Sequence, residues 1–517
     1  MYTPPLFHWP SKSKWNHTRS PKRVWNDFSI YLHYPYCRRI CDFCGYETRL
    51  INKASAEQIV NLYLDEISHH FMSDDFSNAN LNAIFFGGGT ASLMKPIEIA
   101  RVIDFIGRKT KNGLKDVEIT LECEPGTVNT KRLKELKKVG VNRISVCGQS
   151  FSDDDLKSLT RSHNSTEVYK LVDDCVAAGF ENIHLDLIFG VPGQTIESWL
   201  KSIEIATSMP FVHLSMYRLY VFKYGKYERD NKVVRPEKQS NQVLIETELM
   251  FNEALKISQK AGFHQYSLTE FAKKDRECKY ILNAFDGSDI LPIGPSAFGG
   301  TSAELWENSP YVHKYSNALE WEEDKRVFNL NNNDLLKRQV VLGLWLLRVD
   351  LMSILNKLDL EPSEELIGLL NKLTEDDLIY FDGEVIHLLP KHRYNAGLVM
   401  QKLDKLDASL WTTNNENLIP MKKRNQSVLY KHPDFNALNS IIRMSRRDPD
   451  FYSLLKKSPE LTIENIKAPL NNETKQFLIN VISGKTDFPD IKTDIEVFMI
   501  DSWRNVVNEH VNQKGTC

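Results

Sequence analysis

Short apolar segments alternate with amphipathic segments from Phe28 to about Phe222. The apolar segments are rich in β-branched or aromatic residues and end at turn-forming residues, which is the pattern of β-strands. The predicted strands are Phe28–Tyr34, Asn82–Phe86, Val117–Glu122, Arg143–Gly148, Asn182–Phe189 and His213–Val221.

The segments between these strands carry helix start and stop signals. Asn129 precedes the amphipathic run Thr130–Val139, and Gly140 follows it. Another helix is predicted to begin at Thr195, directly after a Pro-Gly turn. The alternation of strand and helix predicts an α/β fold with a parallel sheet, here a partial (β/α)6 TIM-like barrel. In such a barrel the functional residues lie at the C-terminal ends of the strands.

The same pattern divides the chain into four regions. Residues 1–27 are an irregular lead-in, and residues 28–330 are the barrel with an extension that includes the turn-rich segment Gly287–Gly300. Residues 335–404 are predicted as three helices and a short hairpin, which is typical of a winged-helix-like module. Residues 405–517 are predicted to be a mostly helical extension, to which the sequence assigns no role.

Composition narrows the classes of partner. The 517 residues carry 65 basic and 68 acidic side chains, a net charge of −3, so no basic field points to nucleic acid or to a membrane surface. No apolar run reaches the roughly 18 residues that a membrane-spanning helix requires. The N-terminal residues lack the apolar core of a signal peptide. We therefore expect a cytoplasmic protein whose partners include neither nucleic acid nor membrane.

Three of the eight cysteines form a C-x3-C-x2-C motif directly after the first predicted strand: Cys37, Cys41 and Cys44. Three thiolates in one loop can hold one cubane iron–sulfur cluster and leave one iron without a protein ligand. An open metal position is typical of a catalytic site. The alternatives are a structural zinc ion or a chance grouping, but no second cysteine pair is present to complete a zinc site. The other cysteines are interpreted as buried or incidental thiols: Cys123, Cys147, Cys175, Cys278 and Cys517.

The segment Tyr31–Cys44 closely resembles the signature of radical S-adenosylmethionine (SAM) enzymes. More narrowly, it resembles the oxygen-independent coproporphyrinogen III oxidase-like family. That family includes the oxidase, haem chaperones, anaerobic haem-degrading enzymes, class C radical methylases and cyclopropanases. The further matching motifs are Phe86–Thr90, Leu121–Gly126, Gln149–Phe151, Arg161–His163, Asp186–Thr195 and Gly294–Gly299. Residues 335–404 are similar to the family's C-terminal module.

The resemblance implies a set of cofactors. These are a [4Fe–4S] cluster on the three motif cysteines, one or two molecules of SAM, and an electron donor such as flavodoxin or ferredoxin. The residues implied for a first SAM are Tyr31, Gly88, Glu122 and Phe298. Those implied for a second SAM are Phe43, Gly89, Thr90, Gln149, Arg161, Asp186 and Tyr220. No catalytic residue is implied beyond these.

Departures from the family pattern shape the expected reaction. Tyr46 stands where the oxidases carry a fourth cysteine, and Ala91 replaces the usual proline. The first departure argues against porphyrinogen oxidation itself. We therefore expect an enzyme that modifies a small organic substrate in a methylase-like or cyclopropanase-like reaction with carbon from a second SAM. The alternatives are coproporphyrinogen III oxidation or other haem chemistry, and a haem chaperone that binds without catalysis.

Overall fold

A computed structural model describes residues 23–46, 48–51, 53–219, 241–309, 325–404, 441, 449–465, 470 and 472–483. The chain divides into two compact units, Met1–Asn414 and Asn415–Cys517, which are described separately. Tyr220, Cys517 and most of the predicted lead-in lie outside the described residues.

The first unit is built on a large, mostly parallel sheet. Its strands are β1 (Phe28–Tyr34), β2 (Tyr36–Cys37), β3 (Arg49–Leu50), β4 (Leu81–Gly88), β5 (Glu118–Cys123), β6 (Arg143–Gln149), β7 (Ile183–Phe189), β8 (His213–Arg218), β9 (His264–Gln265), β10 (Glu270–Ala272), β11 (Asp289–Ile293), β12 (Phe298–Gly300), β13 (Glu304–Glu307) and β14 (Arg326–Asn329). All except β2 and β3 join one sheet in the order β14-β13-β12-β11-β1-β4-β5-β6-β7-β8-β10-β9. The strands from β11 to β8 run parallel, and those at both edges run antiparallel.

Helices cross between the parallel strands from β1 to β8, as the sequence predicts, and two further helices follow β8. They are α1 (Lys53–Ser73), α2 (Pro96–Lys109), α3 (Thr130–Lys138), α4 (Asp153–Ser158), α5 (Ser165–Ala177), α6 (Ile196–Ser208), α7 (Asn241–Lys260) and α8 (Lys279–Asp286). The side chains of Asn129, Asn164 and Thr195 accept backbone hydrogen bonds at the starts of α3, α5 and α6. The partial-barrel α/β fold is thus confirmed.

The segment Gly287–Gly300, interpreted as turn-rich, also contains strands that the sequence pattern did not indicate. This segment contains β11, whose residues are all buried and which pairs in parallel with β1. Pro292 lies opposite Tyr31 in that register. A proline and flanking glycines argue against a central strand by sequence pattern, but burial on both faces stabilises this short apolar run as a parallel strand.

Alternation along each strand separates the core from the inner face of the barrel. On β7, Leu185 and Leu187 belong to the main hydrophobic core, whereas His184 and Asp186 line an internal cavity. Successive side chains of a strand point to opposite faces. The inner face therefore carries the polar residues, and the outer face packs against the crossover helices.

A smaller helical module follows the sheet within the first unit. Its elements are α9 (Asn332–Gly343), β15 (Arg348–Asp350), α10 (Leu351–Leu358), α11 (Glu364–Glu375), β16 (Ile379–Phe381), β17 (Val385–Leu388) and α12 (Ala396–Asp404). The strands form a sheet in the order β15-β17-β16, and the module has its own hydrophobic core, which includes Leu336, Leu370 and Ile386. Three helices precede the hairpin, which is the predicted order, and β15 and α12 are additions to it.

In the second unit, the described elements are α13 (Pro449–Lys457), α14 (Pro459–Asn465) and α15 (Asn472–Ile482). Leu455, Ile463 and Leu478 are buried on these helices. The helical content expected for this part of the chain is confirmed over those ranges. Across the described residues, the structure contains no helix long and apolar enough to traverse a membrane.

Candidate functional site

The cysteines of the C-x3-C-x2-C motif lie in the loop that follows β1. Cys37 ends β2, and its carbonyl accepts a backbone hydrogen bond of 2.9 Å from Ile51. The backbone N–H of Cys44 donates to the Cys41 carbonyl over 3.1 Å, which closes a turn between the last two cysteines. Cys37 and Cys41 are buried, Cys44 is partly exposed, and all three line the same cavity.

Glycines bring the end of β4 close to this loop. A Cβ on Gly89 would lie 2.8 Å from two backbone carbonyl oxygens and 3.0 Å from the Sγ of Cys37. Gly88 has a φ of 101°, and a Cβ there would lie 2.8 Å from the imidazole of His33. The strand end therefore approaches the cysteine loop more closely than any side chain would permit.

A buried guanidinium, that of Arg161, lies beside the same loop. It contacts the Sγ of Cys41 and forms an ion pair of 3.2 Å with Glu124. Burial raises the pKa of Cys37, and it raises the pKa of Cys44 to about 11. Metal binding requires thiolates, and a neighbouring guanidinium stabilises their negative charge.

These features fit an iron–sulfur cluster. One loop supplies three sulfur donors, the adjacent strand end has no side chain to fill the space in front of them, and a cation lies alongside. Cys37, Cys41 and Cys44 would hold the cluster, and a fourth iron would be left for an external ligand. Tyr46, at the position of the missing fourth cysteine, also lines the cavity.

The cavity has a volume of about 730 Å³ and extends from the cysteine loop into the barrel. It gathers the described residues that the resemblance implied for SAM, although their individual roles remain predictions. These lining residues are Tyr31, Phe43, Gly88, Gly89, Thr90, Glu122, Gln149, Arg161, Asp186 and Phe298. Gln149 adopts a left-handed backbone with a φ of 66° at the end of β6, where the strand register is irregular.

Two acidic side chains in this cavity are desolvated. Burial, followed by the charge of Asp186, raises the pKa of Glu122 to about 8, against a hydrogen bond from the backbone of Gly88. Burial also raises the pKa of Asp186 to about 6, against hydrogen bonds from Ser145 and Ser215. Glu122 is therefore mostly protonated at neutral pH until a ligand stabilises its charge.

Several residues on the barrel wall of this cavity were not predicted from the sequence. His184, Tyr217 and Glu270 line it together with the predicted residues. His184 lies two positions before Asp186 on β7, so the two-residue period of a strand could have placed both on one face. Glu270 lies on β10, a three-residue strand that no sequence pattern indicated. Cys147, interpreted as a buried or incidental thiol, also lines the cavity.

The far wall of the cavity combines aromatic and cationic side chains. Phe285 and Trp345 stack with ring centroids 5.0 Å apart and an interplanar angle of 3°. Arg338 and Arg393 belong to the helical module and line the same cavity. Arg393 donates from Nη1 to Gln265 over 2.8 Å, and its buried Nε atom has no hydrogen-bond partner. The cavity lining thus includes two stacked aromatic rings and two guanidinium groups.

Comparisons with known proteins agree with this geometry. Residues 31–206 match the Radical SAM superfamily. The heme chaperone HemW of Bacillus subtilis is 30% identical over 275 residues, which are 52% of this chain and 70% of that protein. The heme chaperone HemW of Lactococcus lactis is 27% identical over 367 residues, which are 70% of this chain and 93% of that protein.

A solved structure shows the same fold. Coproporphyrinogen III oxidase (HemN) from Escherichia coli matches with a TM-score of 0.64 and 21% identity, over 78% of this chain and 99% of that one. The structural match covers a larger share of this chain than residues 31–206 do.

Proposed function

Because the chain belongs to the radical SAM superfamily and to its group of HemN- and HemW-like proteins, we propose that it binds a [4Fe–4S] cluster and SAM and holds haem in the adjoining cavity. The relatives named heme chaperone favour haem handling over methyl transfer. The observation that carries the proposal is the single cavity that joins the cysteine loop to the wall formed by Phe285, Trp345, Arg338 and Arg393.

Cofactor binding rests on residues at the strand ends. Cys37, Cys41 and Cys44 would hold the cluster, which when bound supplies the electron that cleaves the sulfonium C–S bond of SAM. Gly88 and Gly89 leave room for the methionine part of SAM beside the loop. The carboxylate of Glu122, once ionised, accepts hydrogen bonds from ribose hydroxyls.

Haem binding rests on the far wall. Haem is flat and carries two carboxylates, so it requires an apolar face with cations at its edge. The stacked pair Phe285 and Trp345 supplies aromatic surface. Arg338 and Arg393 supply guanidinium groups, which pair with carboxylates in a bidentate geometry. Arg338 is almost fully buried, and this burial lowers its pKa to about 10, so it remains charged at neutral pH.

The methylase-like and cyclopropanase-like reactions remain predictions from the sequence, as does the number of SAM molecules. If a second SAM binds, Arg161→Ala should suppress S-adenosylhomocysteine formation while 5′-deoxyadenosine formation persists. The present contacts of Arg161, to Cys41 and Glu124, engage its guanidinium with groups of the protein itself. Porphyrinogen oxidation is likewise left as a prediction, because the likeness to the oxidase at 21% identity shows the fold alone.

The test is an anaerobic haem titration of the cluster-loaded protein. We expect about four irons per chain before haem is added and a saturable Soret band on titration. Arg393→Ala should weaken haem binding by about tenfold or more, from the loss of one charge-assisted contact. Arg348→Ala, an exposed arginine of the same module outside the cavity, is the matched control and should leave haem affinity unchanged.

Two outcomes would overturn the haem proposal. One is the absence of any Soret band from protein that contains its cluster and forms 5′-deoxyadenosine. The other is equal loss of haem affinity in Arg393→Ala and Arg348→Ala, which would place haem outside this cavity. Catalytic release of S-adenosylhomocysteine with an identified substrate would support carbon transfer in its place.

A further inference from the structure

A second group of metal-ligating side chains lies in the barrel, separate from the cysteine loop. His184 on β7, His213 on β8 and Glu270 on β10 each offer one ligand atom, and these atoms all lie within 4.8 Å of one another. All three residues are buried, with exposed fractions of 4%, 0% and 1%. We propose that they form a binding site for one divalent first-row transition-metal ion, independent of the cluster.

Strand register brings these residues together. His184 and His213 are direct partners in the parallel pairing of β7 with β8, and their ring centroids are 4.1 Å apart. Glu270 lies opposite Ser215 in the antiparallel pairing of β10 with β8. Ser215 follows His213 by two positions, so both point to the same face of β8. The site is therefore built on three adjacent strands rather than on a mobile loop.

The ligand atoms converge on a polar pocket. The Nε2 atom of His213 lies 3.7 Å from Oε2 of Glu270. The Nε2 atom of His184 lies 2.6 Å from the Ser215 hydroxyl and 3.3 Å from Oδ1 of Asp186. Ser215 in turn donates to Glu270. The Ser215 hydroxyl thus lies between the ligands, and a bound ion would displace it from Nε2 of His184.

Charge also favours a cation at this position. Asp186 and Glu270 place two carboxyl groups around the two imidazoles. Arg143, which pairs with Glu118 at 3.6 Å, is a fixed cation whose charge acts on both histidines and on both carboxyl groups. Burial lowers the pKa of both histidines, so both are neutral, the state that binds metal. Burial raises the pKa of Glu270 to about 7, and a bound divalent ion would hold it ionised.

The donor set indicates the class of ion. Two imidazoles and a carboxylate, with neighbouring positions open, suit Zn²⁺, Fe²⁺, Co²⁺ or Mn²⁺ rather than the hard ions Mg²⁺ and Ca²⁺. No thiol belongs to the set, which disfavours Cu⁺. His184 and Glu270 line the internal cavity, which would give an ion an entry path to the site.

Two tyrosine hydroxyls contact the ligand side chains. Tyr217 donates to Oε1 of Glu270 over 3.0 Å, whereas Oε2 of the same carboxyl group faces His213. Such a contact can orient Glu270 as a ligand. The Tyr266 hydroxyl lies 2.7 Å from Nε2 of His213, and a bound ion would displace it from that nitrogen.

The experiment measures metal in the intact, cluster-loaded protein. After equilibration with Zn²⁺ under anaerobic conditions and removal of free metal, elemental analysis should give about one zinc per chain in addition to the cluster iron. The variants His184→Asn and Glu270→Gln should lose that zinc and keep their iron. His264→Asn is the matched control, because His264 is an exposed histidine of the neighbouring strand β9, and it should keep both metals.

A second arm excludes binding at the cysteines. The full-length variant Cys37→Ala/Cys41→Ala/Cys44→Ala should still bind one equivalent of Co²⁺, with visible absorption bands that Glu270→Gln abolishes. Circular dichroism of each variant checks that the chain is folded. Absence of zinc from the native protein, or zinc that persists unchanged in both His184→Asn and Glu270→Gln, would overturn the site.

Discussion

The Nη1 atom of Arg161 lies 3.3 Å from the Sγ of Cys41, at hydrogen-bond distance for a sulfur acceptor. The same guanidinium lies 3.2 Å from Glu124 and 3.3 Å from the Cys147 carbonyl, so it is held in place from three sides. A cation that donates to a cluster ligand stabilises the more negative, reduced state of the cluster.

The variant Arg161→Ala should therefore have a bound cluster of lower reduction potential than the native protein. Loss of a charge-assisted hydrogen bond, worth about 1.5–3 kcal/mol, corresponds to roughly 60–130 mV for one electron. Arg161→Lys should shift the potential less, since it keeps the charge. Redox titration followed by electron paramagnetic resonance measures the shift. The exposed Arg101→Ala is the control, and equal potentials in all four proteins would contradict the prediction.

Gly89→Ala should disrupt the cysteine loop. The new Cβ would lie 2.8 Å from two carbonyl oxygens and 3.0 Å from the Cys37 Sγ, contacts that backbone atoms cannot relieve cheaply. We expect a cost of about 1–3 kcal/mol and loss of most cluster iron. Gly368→Ala is the matched control: its Cβ meets nothing within 4 Å, and alanine within α11 should stabilise by about 0.5–1 kcal/mol. Thermal unfolding and iron content distinguish the two variants.

SAM affinity should rise with pH through the pKa of Glu122, which burial raises to about 8. Below that pH the carboxyl group is protonated and accepts ribose hydrogen bonds weakly; above it the ionised form accepts them strongly. Between about pH 7 and pH 9 the dissociation constant should fall by up to roughly tenfold. Glu122→Gln should lose this dependence while keeping any that arises from SAM itself. Calorimetric titration of SAM into cluster-loaded protein measures the dissociation constant at each pH. Parallel pH profiles for the native protein and Glu122→Gln would refute the prediction.

Acid should destabilise the fold through His70. Burial, followed by the charge of Lys325, lowers its pKa to about 3, against the hydrogen bond to Asp74, whereas an unfolded histidine titrates near 6.5. Below about pH 6.5 the unfolded chain takes up a proton that the folded chain excludes until pH 3. Stability should therefore fall on acidification over this window, by about 1.4 kcal/mol for each pH unit well below 6.5.

The check on His70 is the melting temperature between pH 4.5 and pH 7. His70→Asn should show a shallower acid slope than the native chain, even though loss of the imidazole next to Trp306 lowers stability at every pH. His69→Asn, at the neighbouring and only partly buried position, should retain the native slope. Identical slopes for His70→Asn and the native chain would remove His70 as the cause.

Sequence pattern located the barrel strands closely, because each is an apolar run that ends at turn residues. The prediction for β1 has the observed bounds, and that for β7 begins one residue early. The sequence pattern did not indicate β10 and β11, which are short or interrupted by proline. They become strands only through their neighbours in the sheet. Local pattern carries no information on such tertiary pairing.

The residues of the candidate site likewise fall into those that the sequence predicts and those that it does not. Residues inside recognisable motifs, such as Cys41 and Glu122, could be named in advance. Arg338 and Trp345 could not, since they reach the cavity from a separate helical module and have no motif of their own. Glu270 escaped notice because its role depends on the register between β10 and β8.

The position of β1 in the sheet has a consequence for biogenesis. β1 carries the cysteine loop, yet one of its two neighbours, β11, is synthesised about 260 positions later, as the pairing of Phe28 with Asp289 requires. Translation proceeds at about 5–20 residues per second, so β11 is synthesised roughly ten to fifty seconds after β1. Nascent chains that end before Ile293 therefore carry the three cysteines next to a strand with one open edge.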